Sequence, residues 1–222
     1  MPSAASPRAR APRIDPVTLT DLSPGSADDL APGALAEGLS FTSLTLDGLN
    51  LSAITITECA FDGLSAHETS LRSASITDTT IEQLNAPVLT APRTRLTDVS
   101  ISSSRLGSAD LYDTRWRSVA IAHSKLGFVN LRGSELIDVR FESCSIDELD
   151  IASAKLERVQ FVDCRVGVLS LTGASLSNVD LTGLQLQQVD GIDSLKGATI
   201  SDLQLSLLAP LFAGHLGINV ET

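Results

Sequence analysis

This chain has few aromatic residues, few cysteines, few histidines and a shortage of basic side chains. Aromatics are 4% of its 222 residues, so its core must be mostly aliphatic. Three cysteines exclude a disulfide scaffold. Sixteen Lys and Arg against 27 Asp and Glu give a net charge of −11. Direct nucleic-acid binding is not expected, because neutralising phosphates takes an excess of basic groups. The longest apolar stretch, near Leu207–Ala213, is too short to cross a bilayer. Residues 1–16 hold no apolar h-region, so no signal peptide is read there. The expectation is a cytoplasmic protein without membrane contact. Hydrophobic residues at 43% exclude global disorder.

Catalytic signatures are missing too. No phosphate-cradling GxxxxGK, no HExxH and no GxSxG occurs. Of the three histidines, His67, His123 and His215, the first two fall on different faces about three coils apart and cannot share a metal. No enzyme activity, cofactor or metal site is expected, and the filled interior argued below leaves no internal cavity.

What the chain does have is a period. From Phe41 to Asp190 it reads as 30 consecutive pentads without insertion or deletion. The first position is Leu, Ile, Phe, Val or Trp in 27 of them, where chance would give about ten. The exceptions are Ala66, Ala86 and Ala91, each preceded two positions earlier by Leu. A period of five fits neither a helix nor an alternating strand. The backbone must turn every five residues, so that the first and fourth positions of each pentad face inward.

Every twentieth residue repeats in kind: Phe41, Phe61, Ile81, Ile101, Ile121, Phe141, Phe161, Leu181. This predicts four faces per coil and a core ladder containing Phe41, Phe61, Phe141 and Phe161. At ~4.8 Å per coil, seven and a half coils make a rod of roughly 36 Å. The coil holding Ala86–Arg95 is expected to be the least regular, because Pro87 and Pro92 lack an N–H for the ladder. Cys144 and Cys164 are neighbours in one inward column and are expected as free thiols, and Cys59 has no partner.

Segments such as Ala109–Asp113 (ADLYD) and Val179–Gly183 (VDLTG) resemble the A(D/N)LXX pattern of the pentapeptide repeat family. The resemblance implies an all-β solenoid, a right-handed quadrilateral β-helix. It also implies action by surface binding. Some members bind type II topoisomerases such as DNA gyrase in place of duplex DNA, and members often pair through their C-terminal ends. The topoisomerase-binding members protect the enzyme against quinolones, and several of them use protruding loops, which the unbroken register here does not provide.

The expected organisation is a disordered tail at 1–16, an N-terminal cap at 17–40, the repeat at 41–190, and a last partial coil with a helical cap at 191–222. Arg8, Arg10 and Arg13 put basic charge in the tail. Ser201 to Gln204 has the form of a capping box. It opens a helix that Pro210 should kink or split, and Gly214 or Gly217 should end. Leu207, Leu208, Leu211, Phe212 and Leu216 are the candidate lid and homodimer seam.

Charge is uneven. Residues 14–71 contain nine acids and no Lys or Arg, whereas Arg93, Arg95, Arg105, Arg115 and Arg117 make the middle locally basic. The candidate acidic interaction surface is Asp47, Glu58, Asp62, Glu68, Glu82, Glu142, Asp163 and Asp180. Its partner is an unidentified protein, with a type II topoisomerase as the sharper alternative.

Overall fold

A computed structural model describes residues 9–220. The pentads wind into a four-sided parallel β-helix of 20 residues per coil. Register is direct: Leu96, Trp116, Leu136, Leu156 and Leu176 sit on successive coils, each paired to the next. Eight-residue strands such as Arg95–Ser102, Arg115–Ala122 and Glu135–Glu142 build one sheet of 12 strands. Strands such as Arg105–Asp110 and Lys125–Asn130 build a second of seven.

The turns explain the period. The third residue of most pentads is left-handed, and 20 non-glycine residues have φ between 46° and 60°. Most are Ser, Asp or Asn, whose short polar side chains tolerate that region, and none is β-branched. One corner differs. Along the column of Gly107, Gly127 and Gly167, a Cβ would come within 2.2–2.5 Å of a carbonyl oxygen on the preceding coil. There the lack of a side chain lets coils approach.

Inside, the first and fourth pentad positions fill the axis. Phe41 stacks on Phe61 with ring centroids 4.6 Å apart, and Phe141 on Phe161 at 4.9 Å. Both pairs are nearly parallel, at 7° and 6°. Cys59, Cys144 and Cys164 are buried free thiols.

Several expectations are corrected. The coil of Ala86–Arg95 is not irregular: Asn85–Thr90 keeps full register with Arg105–Asp110, and Arg95 with Arg115. Pairing instead thins near the N-terminal end, to isolated bridges at Thr45↔Ser65 and Asn50↔Ser70. The deficit at Ala86 and Ala91 shows in packing, not backbone. An apolar cavity of about 80 Å³ lies on the axis, lined by Ala91, Leu84, Leu89 and Trp116 among others, so the interior is not fully filled. A second, of about 50 Å³, adjoins it beside Ala66. An Ala backed by one Leu leaves more space than the Leu, Ile or Phe it replaces.

The tail is also corrected where it is described; Arg8 lies outside those residues. Residues 10–15 are strapped along one corner of the rod. Arg10 N donates to Asn178 Oδ1 (3.3 Å), Arg13 N to Asp138 Oδ1 (2.9 Å) and Asp15 N to Ser118 Oγ (3.1 Å). These acceptors belong to one column of left-handed corner residues. Pro12, Ile14, Val17 and Leu19 turn half-buried sides inward.

Both ends are capped. Gly25 lies against the Phe41 ring so closely that a Cβ would sit 2.4 Å from it. At the other end, Val179 pairs with Ala198, one residue short of the repeat. Helix α1 (Asp202–His215) follows as a single helix with Pro210 inside, neither split nor ended before His215. Its capping box is made: Gln204 N donates to Ser201 Oγ (3.2 Å) and Ser201 N to Gln204 Oε1 (2.7 Å). It closes on Gly217 in the left-handed region, with Ile218 N donating to Ala213 O and Gly217 N to Gly214 O.

Candidate interaction surfaces

The third position of most pentads puts polar side chains on the corners, and the second and fifth mostly put them on the flats. The predicted acidic residues therefore all reach the surface, but the coil geometry divides them. Asp62, Glu82 and Glu142 share one column, in register through Ser102 and Ala122. Asp62 and Glu82 are adjacent, whereas Glu82 and Glu142 are three coils apart, or ~14 Å. Arg140 Nε stands 3.3 Å from Glu142 Oε2 and offsets its charge. Asp163 and Asp180 flank the Glu142 end. Asp180 accepts from Thr182 N and Oγ1 and from Gln160 Nε2.

Asp47, Glu58 and Glu68 lie on other columns. Asp47 accepts from Ser65 Oγ and His67 N, both at 2.8 Å. The His67 backbone bond, followed by the Ser65 hydroxyl, holds its carboxyl below the usual carboxylate range. It ties its coil to the next one. The predicted surface is thus two acidic patches, separated along their column by the uncharged Ser102 and Ala122, with three outliers.

Helix α1 splits the predicted seam. Gln204, Leu208 and Phe212 recur every fourth residue and face the rod. Gln204 Nε2 donates to Leu181 O (2.6 Å) and Leu184 O (2.7 Å), closing two carbonyls of the last coil. Leu203, Leu207 and Leu211 form the parallel outward stripe, with Leu207 66% exposed. Leu216 is exposed beyond them. Leu208 and Phe212 are lid residues, whereas Leu207, Leu211 and Leu216 stay exposed among the described residues. A groove of about 350 Å³ runs between the helix and the last coil.

Cys144 N donates to Cys164 Sγ at 3.4 Å. The neighbouring thiol eases loss of one proton from Cys144, and the resulting thiolate then raises the Cys164 thiol. Sequence reasoning found this pair and the helix. It missed the strap, although the alternation through Pro12, Ile14, Val17 and Leu19 signals a half-buried extended segment.

Among the described residues no group of three or more His, Cys, Asp or Glu is placed to hold a metal ion. No helix there is long and apolar enough to cross a membrane.

No protein-family model matches the chain, and no curated protein sequence matches it. Solved structures do. One is full-length QnrB1, a plasmid-mediated fluoroquinolone resistance protein, with 15% identity over 82% of this chain and 91% of that one, at a TM-score of 0.43. Another is HetL, a pentapeptide repeat protein involved in heterocyst differentiation regulation from the cyanobacterium Nostoc sp. strain PCC 7120. It shares 20% identity over 76% of this chain and 90% of that one, at a TM-score of 0.32. This chain is similar to both as a parallel β-solenoid.

Proposed function

We propose that this protein works without catalysis, as a stiff rod in the cytoplasm that binds another macromolecule through its surface. One observation carries the reading. The outward stripe Leu203, Leu207 and Leu211 is a run of exposed leucines at the end of a rod that elsewhere, among the described residues, exposes Leu35, Leu49 and Val88. A second copy of the chain, docked through this stripe, leaves the acidic flanks free for a protein partner. Light scattering tests it. Wild type is expected to be dimeric and Leu207→Asp monomeric; a Leu207→Asp variant that stays dimeric overturns the seam.

The alternative is a duplex mimic that engages a type II topoisomerase. The coils from 41 to 190 hold 19 acids and 12 bases over roughly 36 Å, near one net charge per ~5 Å. Duplex DNA carries one per ~1.7 Å. The uncharged Ser102 and Ala122 lie in coils of net positive charge and dilute the match further, so an ordinary protein partner is favoured. A gyrase supercoiling assay separates the two: no effect at large molar excess removes the mimic, and inhibition relieved by added duplex supports it.

A further inference from the structure

The most unusual charge in this acidic protein is a basic belt. Residues 93–132, two full coils, hold seven basic and three acidic side chains. Within the belt, parallel pairing sets Arg95 directly against Arg115, and Thr97 against Arg117. Alternation along each strand points all four outward. They outline a rectangle of ~4.8 Å by ~7 Å. Like charges placed directly opposite each other on a sheet are destabilising.

Little local compensation exists. Among the described residues neither Arg95 nor Arg117 makes an ion pair within 4 Å. Arg115 Nε lies 3.9 Å from Glu135 Oε2, a long contact between exposed groups. Asp98 follows Thr97 at the corner, and Asp15 of the strap reaches the neighbouring Ser118 through its backbone. The guanidinium groups line a groove of about 230 Å³, walled on the next coil by Glu135 and Ile137.

Three arginines around one small groove present guanidinium donors in forks that match phosphoryl oxygens two at a time, and the Thr97 hydroxyl can add one more O–H donor. The single carboxylate stands at one edge. We propose that this groove is a binding site for a small phosphoryl anion, a diphosphate or the diphosphate group of a larger soluble ligand. Two forks one coil apart suit two adjoining phosphoryl groups. The groove's size favours a small ligand over a polymer backbone that would need a continuous basic track. The site is independent of the α1 stripe and of the acidic patches.

Trp116 supplies the readout. It lies between Arg115 and Arg117 in sequence, is 3% exposed, turns its ring inward to the axial cavity beneath the groove and is the chain's single tryptophan. The full-length protein is titrated with inorganic pyrophosphate at constant ionic strength, followed by Trp116 emission and by calorimetry. One saturable site is expected. The triple variant R95A/R115A/R117A, checked for an unchanged far-UV spectrum, should bind at least tenfold more weakly. Glu135→Gln removes the repelling carboxylate and should bind about threefold more tightly. Unchanged affinity in the triple variant overturns the site, as does a signal that sodium chloride reproduces at equal ionic strength. Glu135→Gln binding no tighter than wild type overturns the placement. Tight retention of duplex DNA that pyrophosphate cannot displace overturns the small-ligand assignment.

Discussion

Arg158 grips Asp138 with two prongs: Nε donates to Oδ1 at 2.6 Å and Nη2 to Oδ2 at 2.8 Å. Both are left-handed corner residues on successive coils. The same Asp138 Oδ1 accepts from Arg13 N, so one carboxylate ties coil to coil and tail to rod. The Arg158 side chain, opposed by burial and helped by the Arg13 N–H, holds the Asp138 carboxyl below its ordinary value of 3.8. A lowered folded-state value means the contribution is complete above pH ~3.8 and is lost as pH falls through the folded value. Asp138→Asn should cost about 3 kcal/mol near neutral pH, the usual consequence of breaking a mostly buried pair. Chemical denaturation from pH 7 to pH 2 checks this: the gap between the two proteins should narrow below pH ~3.8. Trypsin should also cut faster at Arg10 and Arg13 in Asp138→Ala, which removes the acceptor of Arg13 N and with it the strap's central anchor.

The rod was legible from sequence because its rule is local and repeated thirty times. Phe41 and Phe61, or Phe141 and Phe161, meet because they are twenty residues apart, and no long-range inference is needed. The strap was not legible in the same way. Its partners Ser118, Asp138 and Asn178 are more than a hundred residues away, and their side chains look like ordinary corner formers. The outward stripe of α1 was half legible. Helical spacing groups the leucines, but only Gln204 bonding to Leu181 O and Leu184 O fixes which side faces the rod. The acidic surface misled because a list of acids carries no column information: Asp47 and Glu82 sit on different faces.

Ala91 offers a test of the axial cavity. Val at this position adds two carbons where about 80 Å³ is empty. Filling space without strain typically gains 0.5–2 kcal/mol, so Ala91→Val should raise stability by about 1 kcal/mol. Leu106→Ala, which enlarges the same cavity, should lower it by about 3 kcal/mol. Thermal melts of the pair distinguish a true void from a well-packed Ala site, in which Ala91→Val would overpack and destabilise.

Gln204 carries the lid's polar contact. Gln204→Leu keeps the bulk, but it strands Leu184 O, leaves Leu181 O with only the Leu184 N–H, and breaks the capping box at Ser201. Leaving buried acceptors unpaired costs about 1–3 kcal/mol. The expected outcome is a loss of about 2 kcal/mol, with amide exchange accelerating in residues 181–208. An unchanged exchange pattern would mean that Leu208 and Phe212 alone hold the helix down.

Phe141→Ala tests whether the rod behaves as a chain of nearest neighbours. The ring is buried and stacked at 4.9 Å on Phe161, so its removal should cost about 3–5 kcal/mol. In a solenoid each coil contacts only the coils above and below it, so stability is close to a sum of local terms. The loss should therefore concentrate in the coils from about residue 121 to 180. The Phe41–Phe61 end, four coils away, should keep its amide protection. Uniform loss of protection along the whole rod would show instead that it unfolds as one cooperative unit, with the strap from Arg10 to Asp15 as the physical link, because that segment spans the coils of Ser118, Asp138 and Asn178 at once. Deleting the strap in the Phe141→Ala background then decides the cause: if it couples the coils, its removal should restore a local response.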